Sequence, residues 1–487
     1  MSTDKETRKK SASELPPAVL GELRKIVGTE NVLTDPVDLL VYSCDAITYH
    51  QQSPAAVVFP ADTSQTAAAV RLLLENDIPF LPRGSGTGLS GGALPLPGSV
   101  VLQTSHMNRI LSADPENRMA EVQPGVINSF LTKALEPMKL HFAPDPSSQV
   151  AAVLGGNIAE NAGGPHCLKY GVTGNHVLGL EVVLGDGTVA GLGSPWGDAA
   201  GLDLVGLFVG SEGTLGICTQ ATLKLTPLPQ AVQTLLIGFP RLEEAGRTVS
   251  QIIAGGIIPA ALEMIDHNGI EAVEQSVYAA GYPRDVAAVL LVEIDGFQAG
   301  LEEQAQRIRA IAEANHPSVI RMARNEEERA RLWAGRKRSY GAQGQLAPDC
   351  LVQDVTVPRS LLPEMLEEVY RIAEEYDLHI SNCFHAGDGN LHPHLLFDRR
   401  DKALTNRVLE AAGQIVKACL ARGGTISGEH GIGVDKLPYM RLVFSEEDLE
   451  VMRRLRSVFN PRNLCNPGKL IPEPEKCESR QFGADAA

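Results

Sequence analysis

The 487-residue sequence has no apolar run that approaches the roughly 20 residues needed to cross a bilayer. Its first residues, MSTDKETRKKSASELPP, are charged and contain no apolar stretch, so we expect no secretory signal. The sequence also has fewer basic than acidic residues, with 43 lysines and arginines against 59 aspartates and glutamates. The resulting formal net charge of −16 argues against nucleic acid as a partner. We therefore expect a cytoplasmic protein with no transmembrane segment, which reaches the inner face of a membrane only through partner subunits.

Paired cysteines are missing as well. The eight cysteines are scattered along the chain, and no two of them form a C-x-x-C motif. This spacing argues against a zinc ribbon, a thioredoxin motif or an iron–sulfur cluster carried by this chain. Separate thiols are typical of proteins in a reducing compartment, which agrees with a cytoplasmic location.

The sequence is instead rich in glycine, and residues 86–91 match the pattern G-x-G-x-x-G. In a strand–turn–helix unit this pattern binds the pyrophosphate of a dinucleotide. The preceding residues, 55–83, do predict a strand, a helix and a second strand. However, Pro95 and Pro97 preclude a helix after the glycines, and the following SVVLQT predicts another strand. We therefore expect a strand-to-strand loop whose backbone amides bind an anion, and not a Rossmann site for NAD.

A second glycine-rich region extends from residue 144 to residue 216. Glycine destabilises helix and strand interiors by roughly 0.5–1 kcal/mol, so glycine clusters are expected where the backbone turns sharply or approaches a ligand. The sequence GDG at 185–187 predicts a β-hairpin turn. The sequences GGN at 155–157 and GG at 163–164 lie between predicted helices, and we expect this region to contact a ligand.

The composition changes at the sequence TPLP, residues 226–229. Beyond it, strands such as AAVLLVEIDG alternate with charged helices, which predicts an antiparallel sheet with helices on one face. The expected organisation is an N-terminal helical segment (1–50), a first domain (51–228), a second domain (229–475) and a tail (476–487).

The second domain contains the sequence NCFHAGDGNLHPHLLF. Asp388-Gly389 is a strong signal for a type I′ turn between two β-prone arms. A two-residue turn would pair His385 with His392 on one face, with Cβ atoms ~4.5–5.5 Å apart, close enough to bind one metal ion. His394 would point to the same face as a reserve ligand. Histidines are also common in structural and solvent-facing positions, so the pair alone does not define a metal site.

A further ligand is offered by the glycine-flanked turn GGTISGEHGIG, in which Glu429 and His430 are adjacent. One carboxylate with two histidines is the ligand set of an open catalytic site for zinc, iron or manganese. As alternatives, Glu429 is a helix cap, and Arg336 is one more solvated charge in the stretch ARNEEERARLWAGRKR.

The stretches RGSGTG, LGGN and GSEGTLG resemble the flavin-binding domain of the vanillyl-alcohol oxidase / p-cresol methylhydroxylase fold, over roughly residues 55–227. The resemblance implies an α+β protein, with a two-part FAD-binding domain and a C-terminal α+β cap domain that has an antiparallel sheet. It implies FAD as cofactor, with the pyrophosphate on the first loop. The residues implied to bind FAD are Arg83, Gly84, Ser85, Gly86, Thr87, Gly88, Leu89, Pro144, Gly155, Asn157, Gly163, Gly164, Gly210, Glu212, Gly213, Gly216 and Asn466.

The motifs HAGDGNLHP, SGEHGIG, LWAGRKRSYG and the terminal NPGK are similar to those of the FAD-linked 2-hydroxy-acid dehydrogenases, which act on D-lactate, D-2-hydroxyglutarate or glycolate. Within this family, the similarity is greatest to the flavin subunit of bacterial glycolate dehydrogenases. The implied roles are divalent-metal ligand for His385, His392 and Glu429, base for His430, carboxylate clamp for Arg336, and substrate binding for Asn390.

This set suits the oxidation of an alcohol beside a carboxylate, which needs a cation, a base and a Lewis acid. It also needs a hydride acceptor, which a flavin supplies and no side chain does. We expect oxidation of glycolate to glyoxylate, with D-lactate oxidation to pyruvate or a non-catalytic flavin subunit as alternatives. Because the chain has no cluster cysteines and no haem motif, we expect a quinone, an iron–sulfur subunit or a second flavin-domain subunit to accept the electrons.

Overall fold

The computed structural model describes residues 14–196 and 201–474. The predicted tail (476–487) and the first 13 residues of the predicted N-terminal segment lie outside the described residues. Helices of the N-terminal half are α1 (Pro17–Val27), α2 (Pro36–Leu39), α3 (Thr63–Glu75), α4 (Asn128–Leu135), α5 (Leu154–Glu160), α6 (Cys167–Tyr170) and α7 (Leu204–Phe208). Its strands are β1 (Val32–Leu33), β2 (Ala56–Val58), β3 (Phe80–Arg83), β4 (Val100–Gln103), β5 (Ile110–Asp114), β6 (Met119–Val122), β7 (Leu140–His141), β8 (Val177–Leu184), β9 (Val189–Gly193), β10 (Gly216–Lys224) and β11 (Thr226–Pro227).

A four-stranded sheet in the order β1-β2-β4-β3 carries the first glycine-rich loop. Strands β2, β4 and β3 are parallel neighbours, with α3 connecting β2 to β3. The predicted strand–helix–strand start is confirmed, and so is the strand-to-strand loop, which runs from β3 to β4 without a helix. The N-terminal segment is part of this layer, because β1 pairs with β2 and α1 packs on α3.

The second sheet of this half is antiparallel and has the order β5-β6-β10-β8-β9. Strands β8 and β9 form the hairpin predicted from the sequence GDG, with Val183 opposite Val189. Alternate residues of β6, β8 and β10 face a core that also includes Leu131 of α4, Leu154 of α5 and Phe208 of α7. This core fixes the position of α5, whose first residues belong to the second glycine-rich region.

The C-terminal half begins after β11 and contains a larger sheet. Its helices are α8 (Leu242–Ala254), α9 (His267–Glu274), α10 (Gln298–Glu313), α11 (Glu326–Lys337), α12 (Ser339–Gln343), α13 (Leu362–Glu375), α14 (Lys402–Ala421), α15 (Met440–Val443) and α16 (Glu446–Phe459). Its strands are β12 (Ala231–Phe239), β13 (Ala261–Asp266), β14 (Ala288–Gly296), β15 (Val319–Met322), β16 (Asp349–Val352), β17 (Val355–Thr356), β18 (His379–Phe384), β19 (Asn390–Leu391) and β20 (Pro393–Phe397).

Seven of these strands form an antiparallel sheet in the order β15-β12-β14-β13-β18-β20-β16. The prediction of helices on one face is wrong, because helices cover both faces. Leu290 and Val292 of β14 face a core with α8, α10, α13 and α14, whereas Val289 and Leu291 face a core with α9, α11 and α12. Consecutive strand residues point to opposite faces, so the apolar run in β14 requires cover on both sides.

The end of the described chain returns to the N-terminal half. Phe80 of β3 donates its N–H to Leu464 O (2.9 Å) and accepts from Asn466 N (2.7 Å). The terminal NPGK motif therefore lies beside the first sheet, where the glycine-rich loop begins. Across the described ranges, no helix is long and apolar enough to cross a membrane.

Candidate active site

A cavity of about 620 Å³ lies between the two halves of the molecule. On one side it is lined by the loop 83–89, which follows β3, and by the start of α5. On the other side it is lined by residues of the C-terminal half, among them Arg336, His385, His392, Glu429 and His430. The glycine-rich motifs and the histidine motifs, which are far apart in sequence, face the same space.

Arg83 shapes the glycine-rich loop from within. Its guanidinium donates to Ala93 O (3.0 Å) and to Cys44 O (2.7 Å), and the residue is buried. Gly86 has a φ of +68°, and a Cβ there would collide with the same guanidinium. The arginine is thus occupied in holding the loop, and Ser85 Oγ donates to Ala151 O (2.6 Å), so backbone amides and the Thr87 hydroxyl are the groups that this loop offers to an anion.

The two glycine-rich regions meet where Gly84 faces Val153 and Gly156, and Gly155 packs on Pro124. A Cβ on Gly84 would lie 2.6 Å from Val153 Cγ2, and a Cβ on Gly155 would lie 2.6 Å from Pro124 Cβ. Gly155 lies in the first turn of α5, not between helices as predicted. Without these Cβ atoms the loop and the helix pack closely and form a wall lined by backbone, whose size and chemistry fit a dinucleotide such as FAD.

Most of the residues predicted to bind FAD line this cavity. They are Arg83, Gly84, Ser85, Gly86, Thr87, Gly88, Leu89, Gly155, Asn157, Gly163, Glu212, Gly213 and Gly216. The others do not line the cavity: Pro144, Gly164, Gly210 and Asn466. Two of these support the wall, because Pro144 O accepts from Asn128 Nδ2 (2.9 Å) and Asn466 Nδ2 donates to Gly92 O (2.9 Å).

His385, His392 and Glu429 converge at one point of the cavity wall. His385 Nε2 lies 3.0 Å from Glu429 Oε1, and His392 Nε2 lies 3.2 Å from the same oxygen. One ligand atom from each residue lies within 4.8 Å of the other two. Two imidazoles and one carboxylate on the wall of a cavity suit an ion such as zinc, iron or manganese with a coordination position left for substrate.

The turn that joins the two histidines differs from the prediction. His385 pairs with Asn390, not with His392. Residues Ala386–Asp388 form a 3₁₀ turn, and Gly389 follows with a φ of +73°. A type I′ turn needs positive φ at both central residues, and here only Gly389 has it, so the loop contains four residues instead of two. The histidines still meet, with ring centroids 5.2 Å apart.

Glu263 of β13 holds both His385 and Arg336. Its Oε1 lies 2.9 Å from His385 Nδ1, and its Oε2 accepts from Arg336 Nε (2.7 Å) and Nη2 (2.6 Å). Burial alone would raise the pKa of Glu263, but Arg336 and His385 outweigh burial and lower it. An ionised Glu263 therefore fixes the ring of His385 with Nε2 towards Glu429, as carboxylates commonly do behind metal-binding histidines.

The charges within the histidine cluster are strongly coupled. Burial alone would raise the pKa of Glu429, but His385 and His392 hold it well below its usual range. Burial alone would lower the pKa of His385, but Glu263 and Glu429 raise it well above its usual value. In the metal-free protein the raised pKa therefore keeps both ring nitrogens of His385 protonated, and a metal ion bound at Nε2 would take the place of the proton on that nitrogen.

His430 stacks on His392 at the same wall, with ring centroids 4.8 Å apart and ring planes 5° from parallel. Burial lowers the pKa of His430 to about 4, against the opposing effect of Asp354. The imidazole is therefore neutral at pH 7 and able to accept a proton. No residue of the described ranges forms a hydrogen bond with its Nδ1.

Arg336 and Asn390 differ in their access to the cavity. Arg336 lines it, and its Nε and Nη2 contact Glu263. Asn390 is not among the lining residues, since its Nδ2 donates to Asp354 Oδ1 (2.7 Å) and Val355 O (3.3 Å). Asn390 therefore contacts the residues that flank the cluster, and its predicted role in substrate binding stays a prediction.

The reserve ligand His394 also lines the cavity. Among the described residues, two groups have ligand atoms within 4.8 Å of one another, His385 with His392 and Glu429, and Asp354 with His392 and His430, and His394 belongs to neither. Its Nδ1 lies 3.5 Å from Ser381 Oγ. Sequence reasoning missed Glu263 and Asp354. The signal that could have revealed them is an acidic residue within an apolar strand or strand end, ALEMID and CLVQDVTV, where an unpaired charge would be costly.

Family models match both halves of the chain: "FAD linked oxidases, C-terminal domain" over residues 228–470 and "FAD binding domain" over residues 54–193. The chain is 43% identical over 467 residues to the glycolate oxidase subunit GlcD of Escherichia coli (strain K12), which covers 96% of this chain and 93% of the relative. The chain belongs to the FAD-linked oxidases. It is therefore an FAD-dependent oxidoreductase.

Other proteins similar to this FAD-linked oxidase agree with that assignment. A D-lactate dehydrogenase of Archaeoglobus fulgidus is 35% identical over 417 residues, which covers 85% of this chain and 91% of the relative. The structure of p-cresol methylhydroxylase with bound substrate has a TM-score of 0.76 at 17% identity, covering 93% of this chain and 96% of that chain. At this identity the likeness shows the fold alone, and the predicted vanillyl-alcohol oxidase / p-cresol methylhydroxylase fold is confirmed.

Proposed function

We propose that this FAD-linked oxidase oxidises a small 2-hydroxy acid, and that the acid is glycolate, which becomes glyoxylate. The observation that carries the proposal is the convergence of His385, His392 and Glu429 on the cavity that the glycine-rich loop also lines. The similarity to a glycolate oxidase subunit supports glycolate as the substrate.

Arg336 binds the carboxylate of the acid. It is a cationic side chain that lines the cavity beside His385, and its ion pair with buried Glu263 holds the guanidinium in one orientation. A guanidinium that is fixed in this way forms directed hydrogen bonds to a carboxylate, which places the adjacent hydroxyl carbon at a defined position.

His430 takes the proton of the substrate hydroxyl. Its ring is neutral, lines the cavity and stacks on His392, so it lies beside the point where the three ligands converge. His385, His392 and Glu429 would hold a divalent ion of zinc, iron or manganese, which would supply a Lewis acid that makes the hydroxyl more acidic.

FAD, bound along the backbone-lined wall, would supply the hydride acceptor for the substrate carbon. At that wall, the residues of this chain would hold the FAD in a fixed orientation. Loop 83–89 contacts the start of α5 through Gly84, which faces Val153 and Gly156, and Gly155 packs on Pro124, so the wall is rigid and its amides point in fixed directions.

D-lactate is the second candidate substrate, because D-lactate dehydrogenases are among the relatives. D-lactate has one methyl group more than glycolate, and a methyl group in an apolar pocket changes discrimination by only about 1–3 kcal/mol. A non-catalytic flavin subunit is the alternative of another class. The complete set of ligands, base and cation argues against it.

The electrons leave this chain for a partner. A quinone, an iron–sulfur subunit or a second flavin-domain subunit would accept them, in line with a relative that is named as a subunit. The protein would act in the cytoplasm, where such subunits would bring it to the inner face of a membrane.

The test is anaerobic mixing of the FAD-containing protein with glycolate, D-lactate, L-lactate and D-2-hydroxyglutarate, each with and without prior removal of metal by a chelator. Loss of flavin absorbance on a millisecond-to-second scale reports reduction. We expect glycolate to reduce the flavin fastest, and chelation to abolish the reduction. Protein that contains FAD and metal but is reduced by none of the four acids would contradict the proposal and favour the non-catalytic subunit.

A further inference from the structure

We infer that Asp354 is a positioning residue, which fixes the loop that carries Glu429 and His430 and sets it against His392. The inference rests on the proposed function, in which Glu429 and His392 bind a metal ion and His430 takes a proton. Asp354 itself lies outside the cavity lining and is fully buried. It touches neither substrate nor cofactor, so its effect passes through the residues that it holds.

One carboxylate oxygen of Asp354 accepts hydrogen bonds from four successive residues of the turn that contains Glu429. Oδ2 accepts from Ser427 Oγ (2.7 Å), Gly428 N (2.9 Å), Glu429 N (3.0 Å) and His430 N (2.8 Å). Three successive backbone amides that point at one anion form a nest, whose curvature is set by the anion. The directions in which the Glu429 and His430 side chains leave the backbone therefore depend on this oxygen.

The other oxygen faces the second side of the cluster. Oδ1 accepts from Asn390 Nδ2 (2.7 Å) and lies 3.7 Å from His392 Nδ1. His392 uses its other nitrogen, Nε2, towards Glu429. A metal-binding histidine commonly directs its remaining N–H at a carboxylate, which fixes the tautomer and the ring orientation. One side chain thus holds Glu429 through a hydrogen bond and faces His392 Nδ1 at 3.7 Å, an electrostatic contact that is longer than a hydrogen bond.

Lys436 balances the charge of Asp354. Its Nζ donates to the Asp354 backbone oxygen (3.3 Å) and lies 3.9 Å from Oδ2, and the lysine is fully buried as well. A buried carboxylate is stable as an anion only when it is paired and hydrogen-bonded. Asp354 meets that condition. Its Oδ2 accepts four hydrogen bonds from residues 427–430, its Oδ1 accepts one from Asn390 Nδ2, and the Lys436 ammonium lies beside it, so both oxygens are held in place.

The test compares Asp354→Asn with a matched buried carboxylate, Asp266→Asn. Asp266 lies in the same half, is fully buried, and accepts from Gly269 N (2.7 Å) and Asn382 Nδ2 (2.9 Å). Both variants lose a buried carboxylate, and only Asp354→Asn replaces the charged acceptor of the Glu429 loop by a neutral amide, which cannot accept at both Oδ positions. Because Asp354→Asn would be uninformative if it did not fold, Ser427→Ala is a milder second variant, which removes one donor to Oδ2.

The first readout is the affinity of the FAD-loaded, metal-stripped protein for Zn²⁺, in competition with a chromogenic chelator. We expect Zn²⁺ binding roughly 10–100-fold weaker in Asp354→Asn, weakened to a lesser extent in Ser427→Ala, and unchanged in Asp266→Asn. The second readout is anaerobic flavin reduction by glycolate at saturating metal. We expect Asp354→Asn to lower the rate at saturating glycolate more than it changes the glycolate concentration that gives half of that rate.

Wild-type affinity for Zn²⁺ in both Asp354→Asn and Ser427→Ala would overturn the inference, and so would an equal loss in Asp266→Asn. The failure of the proposed function would look different. In that case wild-type protein itself would bind no Zn²⁺ or would not be reduced by any of the 2-hydroxy acids.

Discussion

The carboxylate of Glu263 lies 2.9 Å from Nδ1 of His385, directly behind the ring whose Nε2 faces Glu429. This contact joins the large antiparallel sheet, which carries Glu263 in β13, to the candidate metal centre. The same carboxylate binds Arg336, so one buried acid orients both a candidate metal ligand and the candidate substrate clamp. Changes at Glu263 should therefore affect metal binding and substrate binding together.

We predict that Glu263→Gln weakens Zn²⁺ binding roughly 10–100-fold, since carboxylates behind metal-binding histidines have effects of this size. The glutamine cannot accept from His385 and from both nitrogens of Arg336 with the strength of an anion. The measurement is Zn²⁺ affinity by chelator competition, followed by the glycolate dependence of flavin reduction.

The control for this variant is Glu368→Gln, which removes a carboxylate paired with the exposed Arg371 on the protein surface. Surface ion pairs contribute little, so Glu368→Gln should retain wild-type metal affinity and flavin reduction. A Glu263→Gln protein with wild-type Zn²⁺ affinity would show that Glu263 does not support the metal site.

Arg336→Lys tests the carboxylate clamp. A lysine keeps the positive charge but loses the planar fork, and with it the directed contacts to Glu263 and to the substrate. A hydrogen bond to a charged group contributes about 1.5–3 kcal/mol, so we predict that kcat/KM for glycolate falls roughly 10–150-fold. Arg331→Lys, an exposed position on the same helix α11, should leave kcat/KM unchanged. Equal effects of the two substitutions would refute the role of Arg336.

Gly86→Ala tests the backbone wall. Gly86 has a positive φ, and a Cβ there would collide with the Arg83 guanidinium, which holds the loop. A left-handed conformation costs a residue with a side chain about 1–2 kcal/mol, so we predict roughly 5–30-fold weaker FAD binding, measured by flavin fluorescence during titration of the apoprotein. Gly21→Ala is the control, because Gly21 lies in α1 with no atom within 4 Å of the added Cβ. FAD binding as tight as in wild type would mean that this loop does not hold the cofactor.

Local sequence patterns predicted those strands, turns and loops whose conformation is set by residues close to one another in the sequence. Proline at positions 95 and 97 excluded a helix after the first glycine motif, and the structure has a loop there that leads to β4. The turn at Asp388-Gly389 was placed correctly, but its length was not. The difference between a two-residue and a four-residue loop depends on φ at Asp388, which packing of the surrounding strands decides.

Long-range contacts explain what the sequence could not predict. Glu263 lies 122 residues from His385, and Asp354 lies 75 residues from Glu429. No periodicity or spacing connects such pairs, because β13, the end of β16 and the Glu429 turn come together only when the sheet has formed. The apolar run of β14 does predict helices on both faces of the sheet, because consecutive apolar residues of a strand point to opposite faces and each face must then be covered.

A histidine at the interface between the two halves predicts how the free energy of unfolding depends on pH. His166 lies between Asp145 (Nδ1 to Oδ2, 2.9 Å) and Glu293 of the C-terminal half (Nε2 to Oε1, 3.1 Å). Burial alone would lower the pKa of His166, but Asp145 and Glu293 outweigh burial and raise the pKa to about 10. The imidazolium therefore links the two halves at neutral pH.

Because the pKa in the folded state is raised, the stabilisation by His166 is complete below the unfolded-state pKa of about 6.5, and it is lost as the pH rises towards 10. We predict that the free energy of unfolding of wild type falls by about 2 kcal/mol more than that of His166→Gln between pH 6 and pH 9, allowing for the partial exposure of the ring. The measurement is urea unfolding at both pH values. His106→Gln, at an exposed histidine, should keep the wild-type dependence. If His166→Gln lost as much stability as wild type over this range, the imidazolium would not link the two halves, and the interface would depend on the ion pair of Lys337 with Asp145 instead.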